Sequence, residues 1–218
     1  MTIQLTAFRW VPEMAQGYVR DLRIRWALEE AGFPYEVVLL DAPGQAGEGY
    51  RQWQPFGQVP AYRDATVEMF ESAAIVLHIA AQSQALAPKD PAGWARVHSW
   101  VIAAINSIEP HAQAYIPIAE IQAGEAWAEQ QRPQVEAQLF ARLEALTDWL
   151  GEGDYLVEGR FTAADLMMTM VIRELVGSGA LARFPTLDAY RQRCEARPGF
   201  VKSLEDQLRT FRENTPPD

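Results

Sequence analysis

Apolar positions recur with two different periods in the first part of the chain, and their alternation predicts an order of elements. From Thr2 to Phe8, apolar Ile3, Leu5 and Ala7 alternate with polar Gln4 and Thr6, the two-residue period of a strand. A loop runs through Pro12 to Gly17. Val19, Leu22, Trp26 and Ala27 then recur at helical spacing up to Gly32, a natural stop ahead of Pro34. Val37–Leu40 predicts a second strand. Asp41–Gly49, with Pro43 and three glycines, reads as a connecting loop, and no Gly-Lys-Ser/Thr follows to make it a phosphate loop. Val59–Tyr62 and Val67–Phe70, separated by Arg63-Asp64-Ala65-Thr66, predict a hairpin. Glu71–Gln82 predicts a helix with Ile75, Val76 and Ile79 on one face.

After Gln84 the two-residue period disappears. Helical windows at Trp94–Ile108, Pro133–Leu150, Ala163–Val176 and Leu187–Glu195 dominate, and Pro88-Lys89-Asp90-Pro91 has the composition of a linker. The pattern therefore predicts an α/β unit over residues 1–82, a linker over 83–90 and an all-α unit over 91–218. Thr162, three residues before Asp165 and just ahead of Leu166-Met167-Met168, has the spacing of a capping box that starts a buried helix.

Charge and composition narrow the classes of function. The chain has 218 residues, of which 49% are hydrophobic, enough to bury a core. Nineteen basic against twenty-nine acidic residues leave a net charge of −10, which repels phosphate backbones and anionic headgroups. Neither nucleic acid nor a membrane surface is an expected partner. The single cysteine, Cys194, excludes an intrachain disulfide, favours a cytoplasmic location and reads as an inert buried thiol. Met1–Trp10 lacks the pattern of a signal peptide, and no apolar stretch approaches the roughly 20 residues of a membrane span. His78, His98 and His111 have neither cysteine partners nor paired spacing, so no metal is expected.

Candidate chemistry concentrates at two segments, Gln54-Pro55-Phe56-Gly57-Gln58-Val59-Pro60 and Glu71-Ser72-Ala73-Ala74-Ile75. Pro60 removes a ladder donor from its strand, which implies either an edge strand or a cis peptide bond. An exposed edge at Val59 can pair with an extended, peptide-like ligand. Glu71 and Ser72 lie where the hairpin runs into a helix, so the hydroxyl and the first helical amides make an anion site suited to a carboxylate. Gln58 adds an uncharged side chain beside the same edge. Without a ligand, Ser72 is simply a helix cap and Pro60 a turn residue.

Taken in order, these segments resemble the cytosolic glutathione S-transferase family. The resemblance rests on Arg25-Trp26-Ala27-Leu28-Glu29-Glu30-Ala31-Gly32, on Pro55–Pro60, on Glu71–Ile75, on Phe161-Thr162-Ala163-Ala164-Asp165-Leu166 and on Tyr190–Phe200, and it spans nearly the whole chain. It implies an α/β thioredoxin-like N-terminal domain that binds glutathione and an all-α C-terminal domain that supplies most of the pocket for a small hydrophobic electrophile. It also implies a cytoplasmic homodimer with a role in detoxification. Carried over by position, Val59, before a cis Pro60, pairs through its backbone with the cysteinyl part of glutathione. Glu71 and Ser72 hold the γ-glutamyl end, and Gln58 lies alongside.

The family activates the thiol with a Tyr, Ser or Cys near the first helix. Here no Ser precedes Ser72, and the position that corresponds to the Ser of serine-type members is Tyr18, the only hydroxyl residue between Thr6 and Tyr35. Tyr18 is thus the catalytic candidate, with Arg9, Arg20 or backbone amides as other sources of thiolate stabilisation. In the absence of that role it is a packing residue at the start of a helix. Trp94, Trp100 and Trp127, with Ile105 and Tyr115, are core residues or lining for an apolar acceptor pocket. A binding or regulatory protein that keeps the fold, and a glutathione-dependent isomerase or peroxidase, are the alternatives to a conjugating enzyme.

Overall fold

The structure is a computed structural model that describes residues 2–41, 44–45 and 47–216. The chain divides into two compact units, one formed by Met1–Leu86 together with Arg197–Asp218, the other by Ala87–Ala196.

In the first unit, strand β1 (Ile3–Phe8) lies inside a four-stranded sheet of order β2-β1-β3-β4. It pairs in parallel with β2 (Tyr35–Leu40), from Ile3 opposite Tyr35 to Phe8 opposite Leu40, and antiparallel with β3 (Ala61–Arg63) through Leu5 opposite Tyr62. β3 and β4 (Glu68–Phe70) form the predicted hairpin with shifted bounds: Val59 and Pro60, expected in its first strand, precede β3, and Arg63, expected in the turn, pairs with Glu68. Two parallel neighbours need a crossover, which is helix α1 (Asp21–Ala31). Its Leu22, Ile24, Trp26, Ala27 and Leu28 are fully buried. Gly32 ends the helix with φ 69°, and the amides of Gly32 and Phe33 return to the carbonyls of Glu29 and Leu28. α1 packs against α3 (Ser72–Ala81).

The predicted loop over Asp41–Gly49 needs a correction at its far end, where Glu48–Trp53 is helix α2. The glycines obscured its helical period, and burial of Tyr50 holds it down. Ala42, Pro43 and Ala46 of that predicted loop lie outside the described residues.

The hairpin turn is closed by Asp64. One carboxylate oxygen accepts the Thr66 amide and hydroxyl, both at 2.7 Å, and the Val67 amide at 3.0 Å. The other accepts the Tyr62 hydroxyl at 3.1 Å and lies 2.7 Å from His78 Nε2 on α3. Burial alone would raise the carboxyl's pKa, but the hydrogen bonds from His78, Thr66 and Val67 outweigh it and hold the group well below its ordinary value of 3.8. A depressed carboxyl contributes stability that is complete above the unfolded-state pKa and is lost as pH falls through the folded-state one. Wild type is therefore expected to lead Asp64→Asn in urea unfolding by about 1 to 3 kcal/mol at pH 7. The lead should narrow below about pH 4. A lead that stays constant between pH 7 and pH 3 would show that the charge of Asp64 is irrelevant to the turn.

Helix α9 (Pro198–Glu213) does not appear among the helical windows predicted from the sequence, and its packing departs from the predicted partition. The sequence placed it in the all-α segment; its partner in the structure is α1, in the first unit. Its buried face consists of Phe200, Ser203, Gln207 and Phe211, and the two polar members conceal the apolar period. Ser203 donates back to the Gly199 carbonyl, and Gln207 donates to Val19 O and Asp21 Oδ1. Trp26 meets Phe200 edge-on at 4.9 Å, while Arg197 binds Glu30 through two hydrogen bonds of 2.8 and 2.7 Å.

The second unit is helical. Asp90 caps α4 (Pro91–Ala103) by accepting the Gly93 amide at 2.7 Å, so the predicted linker ends in a helix N-cap. The helix continues through Ala104–Ile108 into α5 (Glu109–Ile116) and on to Ile121, well past the predicted end. Pro110 and Pro117 cannot donate, and beside them the hydrogen bonding widens to five residues, from Glu109 N to Ala104 O and from Gln122 N to Pro117 O. α6 (Ala126–Leu150) begins about two turns before Pro133, which the sequence placed at the helix start; Ala128 is fully buried and anchors the earlier turns. α7 (Ala163–Ile172) is buried along its whole length and packs against α4 and α8 (Pro185–Glu195). The predicted capping box at Thr162 and Asp165 is present.

Candidate functional site

Gln58, Val59, Pro60, Glu71 and Ser72, which the sequence singled out, line one cleft of the first unit together with Arg20 and Gln54. One wall is the chain running into β3. The Val59–Pro60 peptide is cis. Behind it the Thr6 hydroxyl accepts the Ala61 amide at 2.7 Å and lies 3.0 Å from the Tyr50 hydroxyl, which donates to the Gln58 carbonyl at 2.5 Å. Burial pushes the Tyr50 pKa above its ordinary value, against the opposing pull of Thr6, so Tyr50 remains a donor at neutral pH. Gln54 is 2% exposed, and its side-chain oxygen accepts the amides of Phe56 and Gln58 at 2.7 and 3.1 Å. Between them Gly57 takes φ 64°, a conformation glycine adopts without strain. This wall is thus braced on β1, on α2 and on its own loop.

The other wall is the start of α3. Glu71 has φ 69° and ψ 110°, a conformation that costs a non-glycine residue on the order of 1 to 3 kcal/mol and that typically marks functional positions. It turns the chain from β4 into the helix. Ser72, the first helical residue, is largely buried, and its Oγ accepts a hydrogen bond from Arg23 Nη1 at 3.2 Å. The free amides of a helix N-terminus favour negative charge. Arg20, at the start of α1, brings a positive charge to the cleft, and Glu71 brings a negative one. The arrangement sets a helix N-terminus and an arginine beside the chain that leads through the cis Pro60 into β3, a combination that can receive a carboxylate of a short ligand.

Among the described residues, the lining of this cleft does not include Tyr18. Tyr18 follows the short 3-10 turn Glu13–Ala15, donates its amide to Ala15 O at 3.0 Å and is 41% exposed. Arg9, another candidate for thiolate stabilisation, donates to Asn214 Oδ1 at 3.3 Å. The aromatic candidates belong to the helical unit, where Trp100 meets Trp149, Trp94 meets His98 and buried Tyr115 meets Phe140, each pair with tilted rings. Trp127 is partly exposed. Cys194 is fully buried in α8, and among the described residues no group of His, Cys, Asp and Glu is arranged to hold a metal.

Gln54, Tyr50 and Arg23 were not identified from sequence. Gln54 lies inside the quoted segment, and only its burial shows that its side chain shapes the loop. Tyr50 and Arg23 act across 8 and 49 positions of sequence, where no local pattern gives a signal.

Comparison with known proteins bears on the chain and its fold as a whole. Residues 5–81 match the family model described as "Glutathione S-transferase, N-terminal domain", and residues 113–207 match "Glutathione S-transferase, C-terminal domain". Glutathione S-transferase PARB of Nicotiana tabacum is 30% identical over 199 residues, covering 84% of this chain and 92% of the tobacco protein. Glutathione S-transferase F7 of Arabidopsis thaliana is 29% identical over 199 residues, with coverage of 84% and 92%. Among solved structures, poplar glutathione transferase F1 superposes with a TM-score of 0.80 at 21% identity, covering 96% of this chain and 99% of that one. Ure2p in complex with glutathione superposes with a TM-score of 0.78 at 19% identity, covering 94% of each chain. The two structural likenesses establish the fold.

Proposed function

The chain belongs to the glutathione S-transferase family of enzymes, and from that premise we propose that it binds glutathione in the cleft of its first unit and activates the thiol for attack on a small hydrophobic electrophile. The observation that carries this reading is the convergence of Val59, ahead of the cis Pro60, the strained Glu71 and the Ser72 helix terminus on one cleft. Val59 pairs with the cysteinyl backbone, Glu71 and Ser72 hold the γ-glutamyl end, and Gln58 and Arg20 flank the tripeptide. The first unit binds glutathione and the helical unit reads the electrophile. The family relationship supports a cytoplasmic homodimer that works in detoxification.

A free thiol with a pKa of about 8.5 is only a few per cent ionised at neutral pH. Lowering that pKa by about two units requires roughly 2.7 kcal/mol of selective thiolate stabilisation. A hydroxyl donor supplies it by hydrogen bonding to the sulfur, and Tyr18 is proposed for that role because its position corresponds to the Ser of serine-type members. The thiol proton leaves to solvent, the sulfur bonds to the electrophilic carbon, and the displaced group departs with its electron pair.

Calorimetry tests the binding step. Wild type is expected to bind glutathione, and Ser72→Ala to weaken binding by about 1 to 3 kcal/mol, the cost of one hydrogen bond to a charged group. A wild type that does not bind glutathione sinks the reading. For the chemistry, the ultraviolet absorbance of the bound thiolate is followed against pH, and Tyr18→Phe is expected to shift the titration upward. The exposure of Tyr18 favours one second reading, a glutathione-binding protein without efficient conjugation. Tight glutathione binding with an unshifted bound thiol would select it.

A further inference from the structure

We propose that Arg23 is a positioning residue for the anion site, acting through Ser72 on the carboxylate that the site receives. The inference rests on the glutathione reading above and names which part of the ligand this device serves, the α-carboxylate of the γ-glutamyl group.

Arg23 belongs to α1, is 1% exposed, and donates from Nη1 to Ser72 Oγ at 3.2 Å. A guanidinium carries its charge throughout the physiological pH range, and its burial places that charge in a medium of low dielectric constant, where it acts more strongly than in water. The geometry has two consequences for Ser72. Its oxygen already accepts one hydrogen bond, so its own proton is left to donate elsewhere, and the residue lines the cleft. A hydroxyl that accepts from a cation also becomes a better donor, because successive hydrogen bonds polarise one another. Arg23 thus fixes the direction of the Ser72 proton from the side away from bulk solvent. The chain as a whole carries a net charge of −10, so an anionic ligand gains nothing from the overall field and depends on such local devices.

The experiment compares glutathione with an analogue whose γ-glutamyl α-carboxylate is replaced by an amide. Calorimetry is run on wild type, Arg23→Lys, Arg23→Gln, Ser72→Ala and the Arg23→Gln/Ser72→Ala double variant, with circular dichroism and thermal melts to establish folding. Both Arg23 variants are expected to weaken glutathione binding roughly 10- to 100-fold while leaving the amide analogue within about threefold of wild type. Ser72→Ala should abolish the same preference, and adding Arg23→Gln to it should weaken glutathione no further. Equal losses for both ligands, or full additivity with Ser72→Ala, would overturn the inference. If neither Arg23 variant folds, Ser72→Ala decides: retained preference for the carboxylate overturns the proposal. Wild type that binds neither ligand removes the glutathione reading as well, whereas normal binding by wild type and by folded Arg23 variants removes only the role of Arg23.

Discussion

Asp165→Ala is expected to lower the free energy of unfolding by about 3 to 5 kcal/mol, measured by urea denaturation at pH 7. The Asp165 carboxylate is fully buried at the start of α7 and accepts four hydrogen bonds. They come from the amides of Leu156 at 2.8 Å and Thr162 at 2.9 Å, and from the hydroxyls of Tyr190 at 3.0 Å and Thr162 at 3.2 Å. Truncation strands these donors where water does not reach them, and each unsatisfied buried group costs roughly 1 to 3 kcal/mol before relaxation. The damage extends beyond a cap, since Leu156 precedes the helix and Tyr190 belongs to α8. Asp165→Asn, which keeps one acceptor oxygen, should recover part of the loss. A cost below about 1 kcal/mol would reduce the site to an ordinary helix cap.

Asp21→Ala is expected to cost a similar amount, about 3 to 5 kcal/mol, because it removes one partner of a buried ion pair. Asp21 is fully buried and Arg25 is 2% exposed, with Arg25 Nε 2.7 Å from Asp21 Oδ2. Gln207 on α9 donates to the other carboxylate oxygen at 2.6 Å. Burial pushes the Asp21 carboxyl above its ordinary pKa, and Arg25 and Gln207 pull it back without cancelling the rise. With Asp21 gone, a guanidinium is left buried without its counter-charge and Gln207 loses its acceptor. Replacing both charges together, as Asp21→Leu with Arg25→Met, should be less destabilising than Asp21→Ala alone. Hydrogen exchange gives a second readout: the amides of α9 should exchange faster in Asp21→Ala. If they keep wild-type protection, Gln207 does not tether that helix to α1.

These residues also show why some of the molecule is legible in the sequence and some is not. β1, α1, the hairpin and α7 each carry their signal within a few adjacent positions, through a two-residue alternation, an apolar face, a turn-closing Asp64 or the spacing of Thr162 and Asp165. α9 carries the opposite kind of signal, because Ser203 and Gln207 occupy buried positions that a period count expects to be apolar. Their burial makes sense only once Gln207 has found Asp21, 186 positions away. Pro133 misled for a related reason: a proline marks a helix start when the chain is considered alone, whereas burial of Ala128 sustains the earlier turns. At the candidate site, Pro60 and Ser72 carry local signals, a missing amide donor and a hydroxyl ahead of a helical run, whereas Gln58, Val59 and Glu71 were named as their neighbours and through the family resemblance.

The sequence by itself determined the two kinds of unit and their order, the exclusion of an intrachain disulfide, the special backbone at Pro60 and the helix terminus at Ser72, all of which depend on neighbours in the chain; the strand edge it predicted at Val59 is absent, because the strand begins only at Ala61 and lies between two others. The tertiary structure alone decided that α9 packs with the first unit, that Tyr50 and Gln54 brace the Gln58 loop, and that Arg23 stands behind Ser72. The reason is physical. Local backbone preferences are set by residues a few positions apart, whereas a buried polar group is stable only beside its partner, and which partner it meets is decided when the elements pack.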